Sequence, residues 1–203
     1  MAAFEHTDGL KIIQQWMTDK GIAPFKFQLE TWKKFGNGYS GMVVAPTGFG
    51  KTFSVFLALI TDFLNHPEQY KKGLKMIWIT PLRSLSKDIA KAMQEAIDEI
   101  GLDWAVGVRN GDTDPKVRQQ QVKKMPEILV VTPESLHLLL AQKNNEMFFR
   151  DMKCVAVDEW HELLGSKRGV MVELGISQLR KYVPKIKIWG ITATIGNLDE
   201  AME

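Results

Sequence analysis

The chain is poor in cysteine and lacks long apolar runs, and both absences restrict what it can be. Among 203 residues there is one cysteine, Cys154, which excludes an internal disulfide and a cysteine-rich zinc site. Because Cys154 lies in an apolar run, we interpret it as a core residue. No segment has the ~18 apolar residues that span a bilayer, and the amino terminus lacks a basic region followed by an apolar stretch. These absences predict a cytoplasmic protein with no membrane partner.

The net charge of the chain is also small, +2 at pH 7, and does not by itself indicate that the protein binds nucleic acid. The basic residues form small groups, at Lys71-Lys72, Lys123-Lys124 and Lys167-Arg168. Each group is more typical of a solvated face than of a binding patch. The length allows one large domain or two small ones, and 45% apolar content is ordinary for a globular protein. Composition therefore leaves the function to the motifs.

Short apolar runs alternate with segments of helical periodicity. The runs, which are typical of strands buried on both faces of a parallel sheet, are Met42–Ala45, Met76–Thr80, Ala105–Val108, Ile128–Val131, Cys154–Val157 and Ile186–Thr192. Thr7 or Asp8 begins a predicted amino-terminal helix that Gly21 ends, and Thr132 precedes Pro133 in the pattern of a helix start. The alternating order predicts a doubly wound α/β sheet.

The segment Ala45–Thr52 has the form of a phosphate-binding loop, with alanine in place of the first glycine. It follows a predicted strand and precedes an apolar segment, Thr52–Leu64, that reads as a helix. Backbone N–H groups of such a loop converge on phosphate oxygens, and the helix dipole adds to the attraction. Lys51 would then reach the β- and γ-phosphates, and the Thr52 hydroxyl would bind Mg²⁺.

A second motif, Asp158-Glu159-Trp160-His161, directly follows a predicted buried strand. A carboxylate at the carboxyl end of such a strand faces the phosphate loop in open α/β sheets. We therefore predict that Asp158 holds Mg²⁺ and that Glu159 orients or deprotonates the attacking water. Taken alone, the motif is weak, but its occurrence together with the phosphate loop strengthens it.

These motifs together resemble the first RecA-like domain of a superfamily 2 DExH-box helicase. The segments similar to the helicase motifs, in chain order, are Phe25–Gln28, Ala45–Thr52, Thr80–Leu85, Gly111–Thr113, Thr132–Leu136, Asp158–His161 and Thr192–Thr194. The stretch DEWHELLGSKRG is similar to the large-helicase-related (Lhr) family, and PFKFQLETW and VRNGDTDPK are similar to its bacterial ligase-associated branch. Trp160 departs from the small aliphatic residue of many relatives, and Thr192 replaces a common serine.

The resemblance implies a three-layer α/β/α RecA-like P-loop NTPase domain at 41–203, with a mostly parallel sheet, after amino-terminal helices at 1–40. It implies ATP and Mg²⁺ as cofactors, bound by Phe25, Gln28, Pro46, Thr47, Gly48, Phe49, Gly50, Lys51 and Thr52, with Thr52 and Asp158 on the metal. Lys51, Asp158, Glu159 and His161 would be catalytic, and Thr192, Ala193 and Thr194 would couple the nucleotide site to DNA. The implied nucleic-acid contacts are Pro81, Arg83, Gly111, Asp112, Thr113, Thr132, Pro133, Glu134, Ser135, Lys167 and Arg168.

The resemblance also implies partners. They are DNA, as a single strand and at a duplex junction, a second RecA-like domain, an ATP-dependent DNA ligase and an exonuclease. Since nothing after Thr194 could hold the motifs of that second domain, the chain is interpreted as an amino-terminal fragment, predicted to bind nucleotide and to hydrolyse it slowly. The function that the resemblance implies is that of a motor domain of an ATP-dependent DNA helicase, which couples ATP hydrolysis to single-strand translocation and unwinding in DNA repair. The alternatives are a double-stranded DNA translocase, an RNA helicase, a small-molecule P-loop kinase and a nucleotide-binding module without turnover.

Overall fold

The computed structural model describes residues 4–46, 48 and 50–193, and within them six short strands form one parallel sheet. The strands are β1 Gly41–Val44, β2 Met76–Ile79, β3 Val106–Arg109, β4 Ile128–Val131, β5 Cys154–Val157 and β6 Lys187–Thr192. Their order across the sheet is β1-β6-β5-β2-β4-β3, and every neighbouring pair is parallel. The six predicted strands and the mostly parallel sheet are confirmed.

Helices connect the strands. They are α1 Asp8–Asp19, α2 Lys26–Gly36, α3 Lys51–Asn65, α4 Arg83–Ile100, α5 Pro115–Lys123, α6 Pro133–Leu140, α7 Glu146–Phe149, α8 Trp160–Leu163 and α9 Lys167–Tyr182. Thr7 precedes α1 and Gly21, with φ of +70°, follows it, as predicted. Thr132 is the N-cap of α6, because its hydroxyl accepts a hydrogen bond from the Ser135 N–H. No helix in the described part of the chain is long and apolar enough to cross a membrane.

Strands β2, β4 and β5 are buried on both faces because their side chains alternate between two apolar layers, whereas the edge strands β1 and β3 are only partly buried. In β2, Met76 and Trp78 belong to the layer formed with α1, α2, α3 and α4, whereas Ile77 and Ile79 belong to the layer formed with α6 and α9. Cys154 is fully buried in the first layer, and burial raises the pKa of its thiol. This confirms Cys154 as a core residue and the fold as three layers, α/β/α.

The strand order divides the carboxyl edge of the sheet into two halves. The residues that follow β1, β6 and β5 are Ala45, Ala193 and Asp158, and those three strands are neighbours. The residues that follow β2, β4 and β3 are Thr80, Thr132 and Asn110, on the other half. Ligands of open α/β sheets bind at this edge. One half therefore carries the phosphate loop, and the other carries the predicted nucleic-acid contacts.

Candidate functional site

The loop between β1 and α3 has the backbone that a phosphate-binding loop needs. Gly48 and Gly50 have φ of +86° and +70°, which favour glycine, and Gly50 is the N-cap of the 15-residue helix α3. Pro46 is exposed at the start of the loop, and Thr52 lies in the first turn of α3. Two predicted loop contacts, at 47 and 49, lie outside the described residues. The loop therefore leads into the amino terminus of a long helix, where the helix dipole favours a bound anion.

Lys51 is the decisive side chain of this loop. The residue is 8% exposed, and its Nζ has no hydrogen-bond partner among the described residues. Burying an ammonium group without a hydrogen-bond partner is unfavourable in free energy, and an anion bound at the loop would offset that cost. The donor set of Lys51 and the helix amino terminus therefore fits the phosphates of a nucleotide.

Asp158 ends β5 next to this lysine and is 6% exposed. Burial, followed by the neighbouring Glu159 carboxylate, raises the Asp158 pKa to about 6, although the Glu159 N–H donates to its Oδ1 at 3.0 Å and Lys51 opposes the shift. A divalent cation would stabilise the ionised carboxylate. In the described part of the chain no three acidic, histidine or cysteine residues cluster as a metal cage. Mg²⁺ is commonly held by one or two protein ligands together with phosphate and water, and Asp158 offers one such carboxylate.

Glu159 has a backbone conformation that the sequence did not predict. Its φ and ψ are 46° and 49°, in the left-handed region, where a non-glycine residue is uncommon. Such a conformation costs on the order of 1–3 kcal/mol and is concentrated at functional sites. Glu159 caps the short helix α8, immediately after Asp158. The turn therefore holds two adjacent carboxylates at the end of one strand.

His161 connects this turn to β6. Its Nδ1 lies 3.0 Å from the Thr192 hydroxyl and 3.5 Å from a Glu159 carboxylate oxygen. Thr192 is fully buried at the end of β6, and Ala193 follows it. Two segments predicted to act together are in contact, and the third coupling residue, at 194, lies outside the described residues.

Gln28 is buried rather than exposed, although a glutamine on an amphipathic helix is usually solvated. Its Oε1 accepts from the Phe25 N–H at 2.9 Å, and its Nε2 donates to the Gly50 carbonyl at 3.1 Å. Phe25, Gln28, Gly48 and Gly50 help to line an apolar cavity of about 340 Å³ beside the loop. The segment predicted to read the adenine is therefore bonded to the segment predicted to bind the phosphates.

The predicted nucleic-acid residues gather in two groups on the other half of the edge. The first group consists of Pro81, after β2, and the start of α6. Arg168 links the two, because its Nε donates to Glu134 at 2.7 Å and its Nη1 donates to the Pro81 carbonyl at 3.3 Å. The capping hydroxyl of Thr132 and its partner Ser135 lie in the same helix start as Pro133. Lys167 begins α9 and is exposed.

The second group surrounds the Gly111–Thr113 loop. The Arg83 guanidinium lies against Gly111, so that a Cβ added at Gly111 would be 2.9 Å from its Nη1. The Thr113 hydroxyl accepts from the Asn110 N–H at 2.9 Å, and Asp112 is exposed. The structure therefore places Arg83 and this loop together, as predicted.

Arg118 was missed by the sequence reasoning. Its Nη2 donates to the carbonyls of Asn110 and Gly111, at 2.9 and 3.0 Å, and thereby ties α5 to the loop. Asp114-Pro115, which caps and begins α5, is the signal that could have located this helix beside the loop.

Comparison with known proteins identifies the family. The DEAD/DEAH box helicase family matches residues 25–201. The chain belongs to this family. Membership implies the use of ATP, and it removes the small-molecule kinase from the alternatives. The RecA-like fold expected from the resemblance is likewise confirmed by the solved helicases that it matches.

This helicase domain is 31% identical over 196 residues to the Lhr helicase/probable uracil glycosylase of Mycolicibacterium smegmatis, covering 91% of the chain and 13% of that protein. It is 33% identical over 202 residues to the ATP-dependent helicase Lhr-Core of Methanocaldococcus jannaschii, covering 94% of the chain and 24% of that protein. The chain thus spans no more than about a quarter of either relative. The expected similarity to Lhr helicases is confirmed, and the ligase-associated branch stays a prediction.

Among solved structures, the helicase Lhr of Mycobacterium smegmatis bound to ssDNA and AMP-PNP has a TM-score of 0.83 and 29% identity, covering 94% of this chain and 25% of that one. The DUF1998 helicase MrfA bound to DNA has a TM-score of 0.81 and 26% identity, covering 95% of this chain and 28% of that one. The division of the chain into 1–40 and 41–203 is not tested by these matches and stays a prediction.

Proposed function

We propose that this chain is the first motor domain of an ATP-dependent DNA helicase, in which ATP hydrolysis drives movement along a single strand and unwinding of a duplex. The observation that supports the nucleotide site is the buried Lys51 ammonium at a glycine loop, close enough to Asp158 to interact with its charge and without a hydrogen-bond partner among the described residues. The choice of DNA rests on the relatives, because Lhr and MrfA have been solved with DNA. An RNA helicase and a double-stranded DNA translocase share the same motifs.

Each site residue has a proposed role. Lys51 and the N–H groups of Gly50 and Thr52 would hold the phosphates, and Thr52 and Asp158 would hold Mg²⁺, which would neutralise phosphate charge. Glu159 orients the attacking water, and Phe25 and Gln28 recognise the adenine. The contact between His161 and Thr192 transmits the state of the nucleotide site toward the DNA half of the edge.

Lys51→Ala should weaken binding of Mg-ATP. A hydrogen bond to a charged group contributes about 1.5–3 kcal/mol, which corresponds to a loss of about 10- to 100-fold in affinity. Titration calorimetry measures the change, and Lys33→Ala, at an exposed lysine of α2, is the matched control. Equal affinities of the Lys51 variant and the parent would contradict the phosphate site.

The DNA half of the proposal concerns Arg83, the Gly111–Thr113 loop and the start of α6. We propose that they follow the backbone of one strand, since helix starts and arginines are common phosphate ligands. A ligase, an exonuclease and a second RecA-like domain are the protein partners proposed from the family resemblance. A cytoplasmic location in a DNA repair pathway belongs to the same proposal.

Arg83→Ala should reduce affinity for single-stranded DNA about equally for unrelated sequences, because phosphate contacts carry no sequence information. The slope of log affinity against log salt should fall by about 0.7, the value for one phosphate of a single strand. Fluorescence anisotropy measures both quantities, with Arg180→Ala as a control at the far end of α9. If Arg83→Ala, Thr113→Ala and Thr132→Ala all bound DNA like the parent, this edge would not be the DNA path, and Lys167 and Arg168 would be tested next.

A further inference from the structure

A wide groove lies at the amino edge of the sheet, opposite to the nucleotide site. It has a volume of about 790 Å³ and lies where the chain enters β2, β3 and β4. Two lysine groups that are far apart in the sequence meet there. The residues that line the groove include Lys71, Lys72, Lys75, Lys123, Lys124 and Trp104. We call this surface the basic groove.

Positive charge dominates the basic groove. It is lined by five lysines and two carboxylates, Asp103 and Glu127. Lys75 is buried and donates to the Gly73 carbonyl at 2.7 Å, and the Glu127 carboxylate accepts a hydrogen bond from the Ala105 N–H at 2.9 Å. Lys71 lies 3.5 Å from Asp151. Among the described residues, no carboxylate lies within 4.0 Å of the ammonium groups of Lys72, Lys123 and Lys124, which are exposed. These three cations are therefore available to an anionic ligand.

An aromatic wall borders these lysines. The ring of Trp104 lies 4.6 Å from that of Phe63, centroid to centroid, and Phe63 lies 5.3 Å from Tyr70. The Tyr70 hydroxyl donates to Asp62 at 2.7 Å, which fixes the wall on α3. Trp104 and Phe63 are only half-buried. The basic groove thus combines flat apolar surface with cations, the two elements that single-stranded nucleic acid requires.

We propose that the basic groove is a second binding site for single-stranded nucleic acid, with phosphates on the lysines and a base against Trp104. An acidic peptide would use the lysines but has no need of the aromatic wall. The strands between the two edges are only four to six residues long, or about 13–20 Å. Single-stranded nucleic acid bound at the carboxyl edge would lie on the opposite side of the sheet from the basic groove. The groove would therefore bind another segment of the same nucleic-acid strand or a second nucleic-acid strand.

The test uses a labelled oligothymidylate of about 12 nucleotides, within the range for one such site. In Lys72→Glu/Lys124→Glu we expect groove affinity to fall about tenfold or more, with a salt slope smaller by about 1.4, since two phosphate contacts are lost. Trp104→Ala should lower affinity about tenfold, and Trp104→Phe should retain it, because stacking on an aromatic ring tolerates the exchange. Lys33→Glu/Lys185→Glu, with the same change in net charge at exposed sites, should bind like the parent.

Stoichiometry separates this proposal from the proposed DNA path. Native mass spectrometry should show two oligonucleotides on the parent chain, one on the groove variant and one on Arg83→Ala/Thr132→Ala. If the parent chain bound one oligonucleotide and the groove variant also bound one, the proposed binding site in the groove would be overturned. The proposed DNA path at the carboxyl edge would not be affected. Binding lost only in the groove variant would overturn the carboxyl edge instead. If polyglutamate competed equally well and Trp104→Ala had no effect, the groove would fit an acidic protein and not nucleic acid.

Discussion

Glu159→Gln should abolish most ATP hydrolysis while leaving ATP binding nearly unchanged. The amide keeps the shape of the side chain but cannot take a proton from the attacking water, and general-base catalysis contributes about 10²–10⁴ in rate. Asp158→Ala should behave differently, because it removes a proposed metal ligand and should weaken Mg²⁺-dependent binding as well. Steady-state phosphate release and titration calorimetry, on a form of the protein that turns over, measure the two effects.

Two results would contradict these roles. Near-normal turnover in Glu159→Gln would exclude Glu159 as the base. Equal loss of binding in both variants would indicate that the strained turn at Glu159 had collapsed and not that a proton acceptor was missing. Glu173→Gln is the matched control, since Glu173 is an exposed carboxylate on α9.

The 203-residue chain by itself should bind ATP and hydrolyse it very slowly. An arginine supplied to the γ-phosphate is worth about 10³–10⁵ in rate in related reactions. Three arginines of this chain are held elsewhere, namely Arg118 on the Gly111 loop, Arg168 on Glu134 and Arg150 beside Asp151. Within the described residues, no arginine hydrogen-bonds to the phosphate loop or to Asp158. In the part of the chain that the structure describes, no arginine is therefore bonded at the nucleotide site in the way this role requires.

The measurement compares single-turnover hydrolysis by this chain with that of a longer form that carries a second RecA-like domain, at equal occupancy by ATP. We expect a difference of about 10³-fold or more and no unwinding by the chain alone. Robust, DNA-stimulated hydrolysis by residues 1–203 would contradict the prediction and would indicate that the catalytic site is complete in one domain.

The sequence by itself determined the secondary-structure elements and the types of residue that each loop carries. All six strands were predicted with ends within one residue of those observed, because the strands of a parallel sheet are short and predominantly apolar runs. The phosphate loop and the Asp158-Glu159 pair could be recognised for a similar reason. Nucleotide binding requires glycines, a lysine and carboxylates at fixed positions along a few consecutive residues. Local patterns of this kind do not depend on the rest of the fold.

Only the tertiary structure decided which of these segments meet. The order β1-β6-β5-β2-β4-β3 brings His161 to Thr192 and Arg168 to Pro81, pairs that are 31 and 87 residues apart. It also gathers two separate lysine groups, which we interpreted as solvated faces, into one groove. Strand order is set by the packing of the whole domain on both faces of the sheet, and no short window of sequence encodes it. The contact of Gln28 with Gly50 joins residues 22 apart and depends on how α2 packs. The left-handed backbone of Glu159 is a conformation that a non-glycine residue seldom adopts, so the residue type did not predict it.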